Sequence, residues 1–416
     1  MIITRRTGLK SLGAAALWTS LTPNFALANA QTDRRFLFIF LRGGMDGLSA
    51  VPAYGEPNFK ALRGELADGN PGEGTRFDML KLDGLFALNP DLKAMHGLFH
   101  SGELTVVHAA CHGYRDRSHF DAQDAFDRGT IDKAVKTGWL NRTLVSLPTE
   151  WKTGRDNCAM GLGPTLPLSL RGDAQVGSWS PPSAPNASPD TLERLAALYK
   201  RDGKLGPVLE KGLSASAMGN AMGDMGMEGK GFGSAVAFIE YAHAAATFLN
   251  SKDGPRLVTI DYGNWDSHSD QNGRSVPGPN NGNYAGRFPE FYLGLDRGIA
   301  ALKGGLEPEV WAKTAIVMVT EFGRTVRING TRGTDHGTGG AAFLLGGAVK
   351  GGRVLADWPG LKDGDLLDGR DLKPTTDLRA LAKGVLREHL AVADATLEVV
   401  FPGSEAVKPL EGLIKT

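Results

Sequence analysis

From Phe36 to Leu41 six apolar residues follow one another without interruption, and Gly43 and Gly44 come just after them. A strand with one face in water alternates polar and apolar residues. An unbroken run therefore fits a strand covered on both faces and stopped by a glycine turn. Three more runs have this form: LTVVHAA from Leu104, RLVTIDYG from Arg256 and TAIVMVTEFG from Thr314. LLGGAVKGGRV lacks a dinucleotide-binding fingerprint and reads as a strand and turn. Elsewhere the apolar spacing is helical and predicts helices at 191–200, 233–248 and 376–390. Buried strands alternating with helices predict an α/β protein with a mostly parallel central sheet.

In such a sheet ligands collect beyond the carboxyl ends of the strands. Asp46 follows the first run, CHGYRDRSHFDAQD the second, Asp266 and His268 the third, and Glu321 ends the fourth. If the four strands share one sheet and one direction, these groups meet on one rim. Between them, SWSPPSAPNASPD and a glycine- and methionine-rich stretch mark about 178–232 as an insertion or lid over that rim.

The first thirty residues stand apart from the fold. Arg5, Arg6 and Lys10 precede an apolar stretch, and Ala26, Ala28 and Ala30 surround a cleavage site. This is the form of a secretory signal, and TRRTGLK resembles a twin-arginine leader, so the export machinery is an expected partner and the periplasm an expected location. Residues 31–416 then form the mature domain. The apolar stretch is too short and interrupted to span a bilayer, and no later segment does better. Taking away the three basic residues leaves 43 basic against 46 acidic, a net charge of −3 that gives no footprint for nucleic acid. Cys111 and Cys158 are the only cysteines; in an oxidising compartment they either pair or stay free.

Carboxylates and imidazoles brought together suit divalent ions. Asp266 and His268, two apart, point the same way on extended chain, and the glycines of GTDHGTGG let the adjacent Asp335 and His336 aim at one ion or at two neighbouring ones. Asp46 and Glu321 complete the candidate ligands, with Glu321 either binding an ion or orienting a ligand. Ser118 is the candidate nucleophile, since a metal can stabilise its alkoxide, and Arg115 and Arg117 stand beside it to steady an anion. Ser118 reads equally as a helix N-cap. Arg324 fits an anion contact or a salt bridge, and Asn264 and Trp265 are candidate pocket residues. The phosphate-loop, zincin, lipase-elbow and CxxC signatures are absent.

FLRGGMDGLSAVP, RSHFDAQD, GNWDSH, VTEFGRTVRINGTRGTDHGTGG, LLGGAVKGG and DLKPTTDLRALAKGVLREHL together resemble the DUF1501 family of exported bacterial proteins, placed in the alkaline phosphatase and sulfatase superfamily. The resemblance covers nearly the whole mature chain. It implies a three-layer α/β/α sandwich, alkaline phosphatase-like, and metal-assisted hydrolysis of phosphate or sulfate esters. Asp46, Asp266, His268, Asp335 and His336 resemble the superfamily's metal ligands, and Ser118 its nucleophile.

Two departures stand out. The Asp-Ser-His spacing is narrow, and after His336 only His389 remains, on a predicted helix. A site short of imidazoles favours calcium, magnesium or manganese over zinc. The cysteine context that sulfatases modify is missing, which places phosphate above sulfate esters. The expectation is thus a periplasmic hydrolase of small anionic phosphate esters using one or two divalent ions (Zn, Ca, Mg or Mn). The alternative is a noncatalytic envelope-associated binding or accessory protein on the same scaffold. An exported redox protein has only the leader in its favour.

Overall fold

The structure is a computed structural model that describes residues 33–75, 77–147, 158–181, 199, 202, 234–252, 254–272 and 287–415. The expected leader, most of the helix expected at 191–200 and most of the 178–232 segment lie outside the described residues. The strands are β1 (Arg35–Leu41), β2 (Leu80–Lys81), β3 (Ala87–Leu88), β4 (Leu104–Cys111), β5 (Ala159–Leu162), β6 (Gly177–Trp179), β7 (Leu257–Tyr262), β8 (Thr314–Val319), β9 (Gly340–Leu345), β10 (Arg353–Leu355) and β11 (Thr376–Asp377). The helices used below are α1 (Gly47–Ala50), α2 (Phe59–Arg63), α3 (Lys93–His100), α4 (His119–Arg128), α5 (Trp139–Ser146), α6 (Ala235–Asn250), α7 (Arg287–Gly305), α8 (Leu378–Leu390) and α9 (Asp394–Val400).

Among the described residues one nine-stranded sheet runs in the order β10, β4, β9, β8, β1, β7, β5, β6, with β11 joined to β4. The four apolar runs are β1, β4, β7 and β8. β1 is parallel to β7 and β8, while β4 and β8 are both antiparallel to β9. All four therefore point the same way, and their carboxyl ends share one rim. The LLGGAVKGGRV stretch supplies the end of β9, a turn and the start of β10.

The pleat of β1 divides the core. Leu37, Ile39 and Leu41 enter one apolar cluster with α3, α6 and α7; Phe36, Phe38 and Phe40 enter another with α4, α5, α8 and α9. This is a mixed α/β fold with helices on both faces of a mostly parallel sheet. Each of the three phenylalanines is at most 1% exposed, which stabilises the fold by about 1.5–3 kcal/mol per side chain. In α8, Leu378, Leu381, Val385 and Leu386 recur at helical spacing on the buried face, and the Asp377 carboxylate caps the Arg379 amide.

The cysteines do not pair. Cys111 ends β4 and Cys158 precedes β5, and both are free. Five strand spacings separate β4 from β5, about 24 Å, far beyond disulfide reach. Burial pushes the Cys111 thiol up to about 11, which leaves it protonated and unreactive at neutral pH.

Candidate metal centre

The β4 rim contributes His119, the first residue of α4. The loop after β7 contributes Asp266 and His268, and β8 leads into Glu321 and Arg324. Asp335 and His336 lie just before β9, where an isolated antiparallel bridge sets His336 opposite Arg324.

His119, Asp266 and His336 offer one ligand atom each within 4.8 Å of one another. The Nε2 atoms of His119, His268 and His336 lie 3.3, 3.0 and 3.3 Å from the same Asp266 Oδ1. His336 Nε2 is also 2.9 Å from His119 Nε2 and 3.1 Å from His268 Nε2.

The other nitrogen of each ring faces an acceptor. His119 Nδ1 is 2.7 Å from Glu321 Oε1, His268 Nδ1 is 3.0 Å from Asp335 Oδ1, and His336 Nδ1 is 2.9 Å from the Arg117 carbonyl oxygen. These acceptors place the proton of each neutral ring on Nδ1. Three Nε2 lone pairs and a carboxylate oxygen are then turned toward one point. Such a group repels itself unless a cation or extra protons lie between, and the donor set fits a divalent ion. A tetrahedron with ligands at about 2.0–2.1 Å has edges of about 3.3 Å, close to the separations here.

Without an ion, protons relieve part of the crowding. Burial opposes a charge on His119, but its bonds to Asp266 and Glu321 push its pKa up to about 9. Burial works to raise the Asp266 carboxyl, and hydrogen bonds from His119, His336 and Arg324 overcome it, holding the group well below the usual carboxylate range. Glu321 is fully buried; bonds from His119 and Gln123 outweigh burial and lower its pKa. The Asp335 carboxyl is lowered chiefly by His268. The Asp266 side chain is 44% exposed, so the centre has an open face.

One guanidinium ties the loops together beneath the centre. Arg324, 1% exposed, donates to the carbonyls of Gly44 (2.6 Å), Gly43 (2.5 Å) and Trp265 (3.1 Å) and to Asp266 Oδ1 (2.8 Å). Gly43 donates its N–H to Glu321 Oε1 at 2.8 Å and has φ +118°; a Cβ there would sit 2.5 Å from the Asp266 nitrogen. Only glycine fits this crossing.

Other candidates have different surroundings. Asp46 is 1% exposed and caps α1, accepting from Leu48 and Ser49 amides; its Oδ2 takes Arg63, Ser49 Oγ and Gln271 Nε2. Those partners, rather than the imidazoles, face its carboxylate. Ser118 occupies the N-cap position of α4 without a side-chain capping bond. Arg117 binds Asp371 at 2.8 Å and Asp368 at 3.3 Å, and Arg115 turns back to the carbonyls of His112 and Tyr114. Asn264 is exposed with φ +67°, whereas Trp265 is fully buried against Tyr262, Phe288, Phe291 and Tyr292 and lines the core.

His119 is not among the ligand candidates that the sequence suggests. Those candidates leave an imidazole wanting after His336, yet His389, the one that remains there, is buried with its Nε2 2.8 Å from the Arg35 carbonyl oxygen. The signal for the third imidazole lies upstream: a histidine opening a helix just past a buried strand.

Fold and site together define an α/β protein with an imidazole and carboxylate cluster at the carboxyl rim of its sheet. The chain belongs to the family described as "Protein of unknown function (DUF1501)", whose model matches residues 114–400, more than half of the chain and every residue of the cluster. No curated protein matches it. Solved structures similar to it include the 2-O GAG sulfatase BT1596 (10% identity, 86% of this chain and 71% of that one, TM-score 0.41). Another is a protein in the alkaline phosphatase superfamily from Vibrio parahaemolyticus (10%, 79% and 64%, TM-score 0.33). A third is the C-terminal periplasmic domain of EcEptC from Escherichia coli in complex with Zn (9%, 78% and 76%, TM-score 0.33). Among the described residues no helix is long and apolar enough to cross a membrane.

Proposed function

We propose that this protein is an exported hydrolase of small anionic esters, phosphate before sulfate, built around one divalent ion held by His119, Asp266, His268 and His336. The observation that carries the reading is the convergence of three Nε2 atoms on Asp266 Oδ1, with every Nδ1 held by an acceptor. Three nitrogen donors favour zinc or another transition ion over calcium and magnesium, which prefer oxygen. When bound, the ion would supply Lewis-acid polarisation and activate a hydroxyl or water.

The chain's own residues do the rest. Glu321 and Asp335 orient His119 and His268, and the Arg117 carbonyl orients His336, as outer partners do in metal sites. Arg324 fixes Asp266. Ser118, one residue before His119 at the amino end of α4, is the proposed nucleophile, and that helix end favours an approaching anion. The resemblance of the first thirty residues to a twin-arginine leader supports export.

The test is turnover of a panel of aryl phosphates and sulfates after chelation and metal add-back. Phosphate-selective turnover that returns with the ion and is lost in His336→Ala is expected; no turnover with any metal would overturn the catalytic reading.

A second reading keeps the ion but not the catalysis: a binding protein for envelope material. The commitment of Asp46 to Arg63 and of Arg117 to Asp371 favours it, since Asp46 is then withheld from an ion and Arg117 from an anionic substrate. Tight metal uptake without turnover, with an envelope ligand retained, is its outcome.

A further inference from the structure

The opposite rim carries a separate pair of imidazoles. His96 and His100 are one turn apart on α3, at the spacing that brings side chains together on a helix face. Their Nε2 atoms are 3.0 Å apart with the rings nearly perpendicular, at 86°. The Lys81 carbonyl oxygen, from β2, lies 2.8 Å from the same His96 Nε2. His100 is four residues before Leu104, where β4 begins, whereas His119 lies beyond its carboxyl end. The eight residues of β4 span about 26 Å, so the pair is remote from the first centre.

A single ring proton aligns poorly with both neighbours: His96 Nε2–H pointed at a lone pair of His100 leaves the Lys81 oxygen without it. If His96 Nε2 carries the proton and donates it to Lys81, it has no lone pair for His100. If it is the acceptor, the Lys81 oxygen meets a lone pair. A cation at the shared vertex satisfies both nitrogens and the oxygen together. Two imidazole nitrogens and a carbonyl oxygen at separations of 3.0 and 2.8 Å can share one ion, and a mixed nitrogen and oxygen donor set suits Cu(II) or Ni(II).

We propose that His96, His100 and the Lys81 carbonyl form a second, surface metal site for a tetragonal transition ion, Cu(II) before Ni(II). Copper stands highest in affinity among the divalent first-row ions, and the surface position leaves the remaining ligand places to water. The site does not depend on the hydrolase reading, because its readout is metal uptake and not turnover.

The test is titration of the full chain with Cu(II) in a non-coordinating buffer, followed by electron paramagnetic resonance. Wild type is compared with His96→Gln, His100→Gln and the double variant. The double variant should bind one equivalent fewer than wild type and lose a tetragonal two-nitrogen signal. Each single variant should bind that equivalent about a hundredfold more weakly, since losing one imidazole removes the effective concentration gained by chelation. A triple variant, His119→Ala, His268→Ala and His336→Ala, which removes every imidazole of the first centre, should retain the signal. Equal copper uptake in wild type and double variant, or a two-nitrogen signal that survives both substitutions, would overturn the site. Circular dichroism of the variants checks that α3 remains folded.

Discussion

Substituting Glu321→Gln changes one charge while keeping the shape, and it probes the candidate centre from behind. Glu321 Oε1 accepts from the Gly43 amide at 2.8 Å, His119 Nδ1 at 2.7 Å and Gln123 Nε2 at 2.8 Å, and Oε2 accepts from Thr320 Oγ1 at 3.1 Å. A glutamine with its oxygen at the Oε1 position keeps the first three bonds and can donate its amide to the threonine hydroxyl. The fold should therefore persist. The His119 ring loses a carboxylate partner, however, and becomes a poorer electron donor. Loss of such an outer partner typically weakens metal binding about 10–100-fold, or about 1.4–2.8 kcal/mol. Competition for zinc against a chromophoric chelator would measure this, at a pH above about 9 where His119 no longer holds a proton in the metal-free protein. His119→Ala should lose more, because it removes the donor itself. Zinc affinity within about twofold of wild type in Glu321→Gln, with a clear loss in His119→Ala, would refute the orienting role. Undiminished affinity in both would refute the centre.

Three further outcomes are expected. Asp46→Asn, which breaks a buried pair with Arg63, should lower unfolding free energy by about 3–5 kcal/mol in urea titrations while leaving the number of bound ions unchanged; losing one ion would make Asp46 a ligand. Gly43→Ala should cost about 1–3 kcal/mol for the φ of +118° and weaken zinc binding as Asp266 is displaced, read by the same two assays. His108 and His389 are buried and neutral, with burial pushing each down to about 4 from an ordinary 6.5. The unfolded chain therefore binds more protons between these values, and stability is full above pH 6.5 and falls as pH drops toward 4, by about 3 kcal/mol for each ring. His389→Gln, which keeps a donor for the Arg35 carbonyl, should show a shallower acid dependence in urea unfolding between about pH 7 and 5; an unchanged slope would count against the buried neutral ring.

Burial makes much of the fold legible. The four runs that become β1, β4, β7 and β8 are apolar at nearly every position because both faces of the sheet are covered. β5 and β6 are less visible, with four and three residues in glycine-rich surroundings. The glycine, two alanines and two leucines that make up most of β9 carry little strand signal by composition, and its antiparallel direction emerges only from pairing. In the centre, Asp266, His268, Asp335 and His336 lie together as their positions past the strands imply. Asp46 is equivalent to them in its place after a strand, and only the fold turns Arg63, seventeen residues away, to face it. His119 is hidden by the adjacent serine and arginines, although its place past β4 already puts its segment on the expected rim. The disulfide alternative fails because nothing in the order of residues measures how many strands separate Cys111 from Cys158.

The reversed direction of β9 has a consequence for how the protein can change. Chain leaving β8 stays on the same edge until it enters β9, so residues 320–339 deliver Glu321, Arg324, Asp335 and His336 without crossing the sheet. A parallel neighbour would have required a passage across one face and back. The segment is therefore a cassette: its donors can be exchanged or respaced together while the strands on either side keep their pairing.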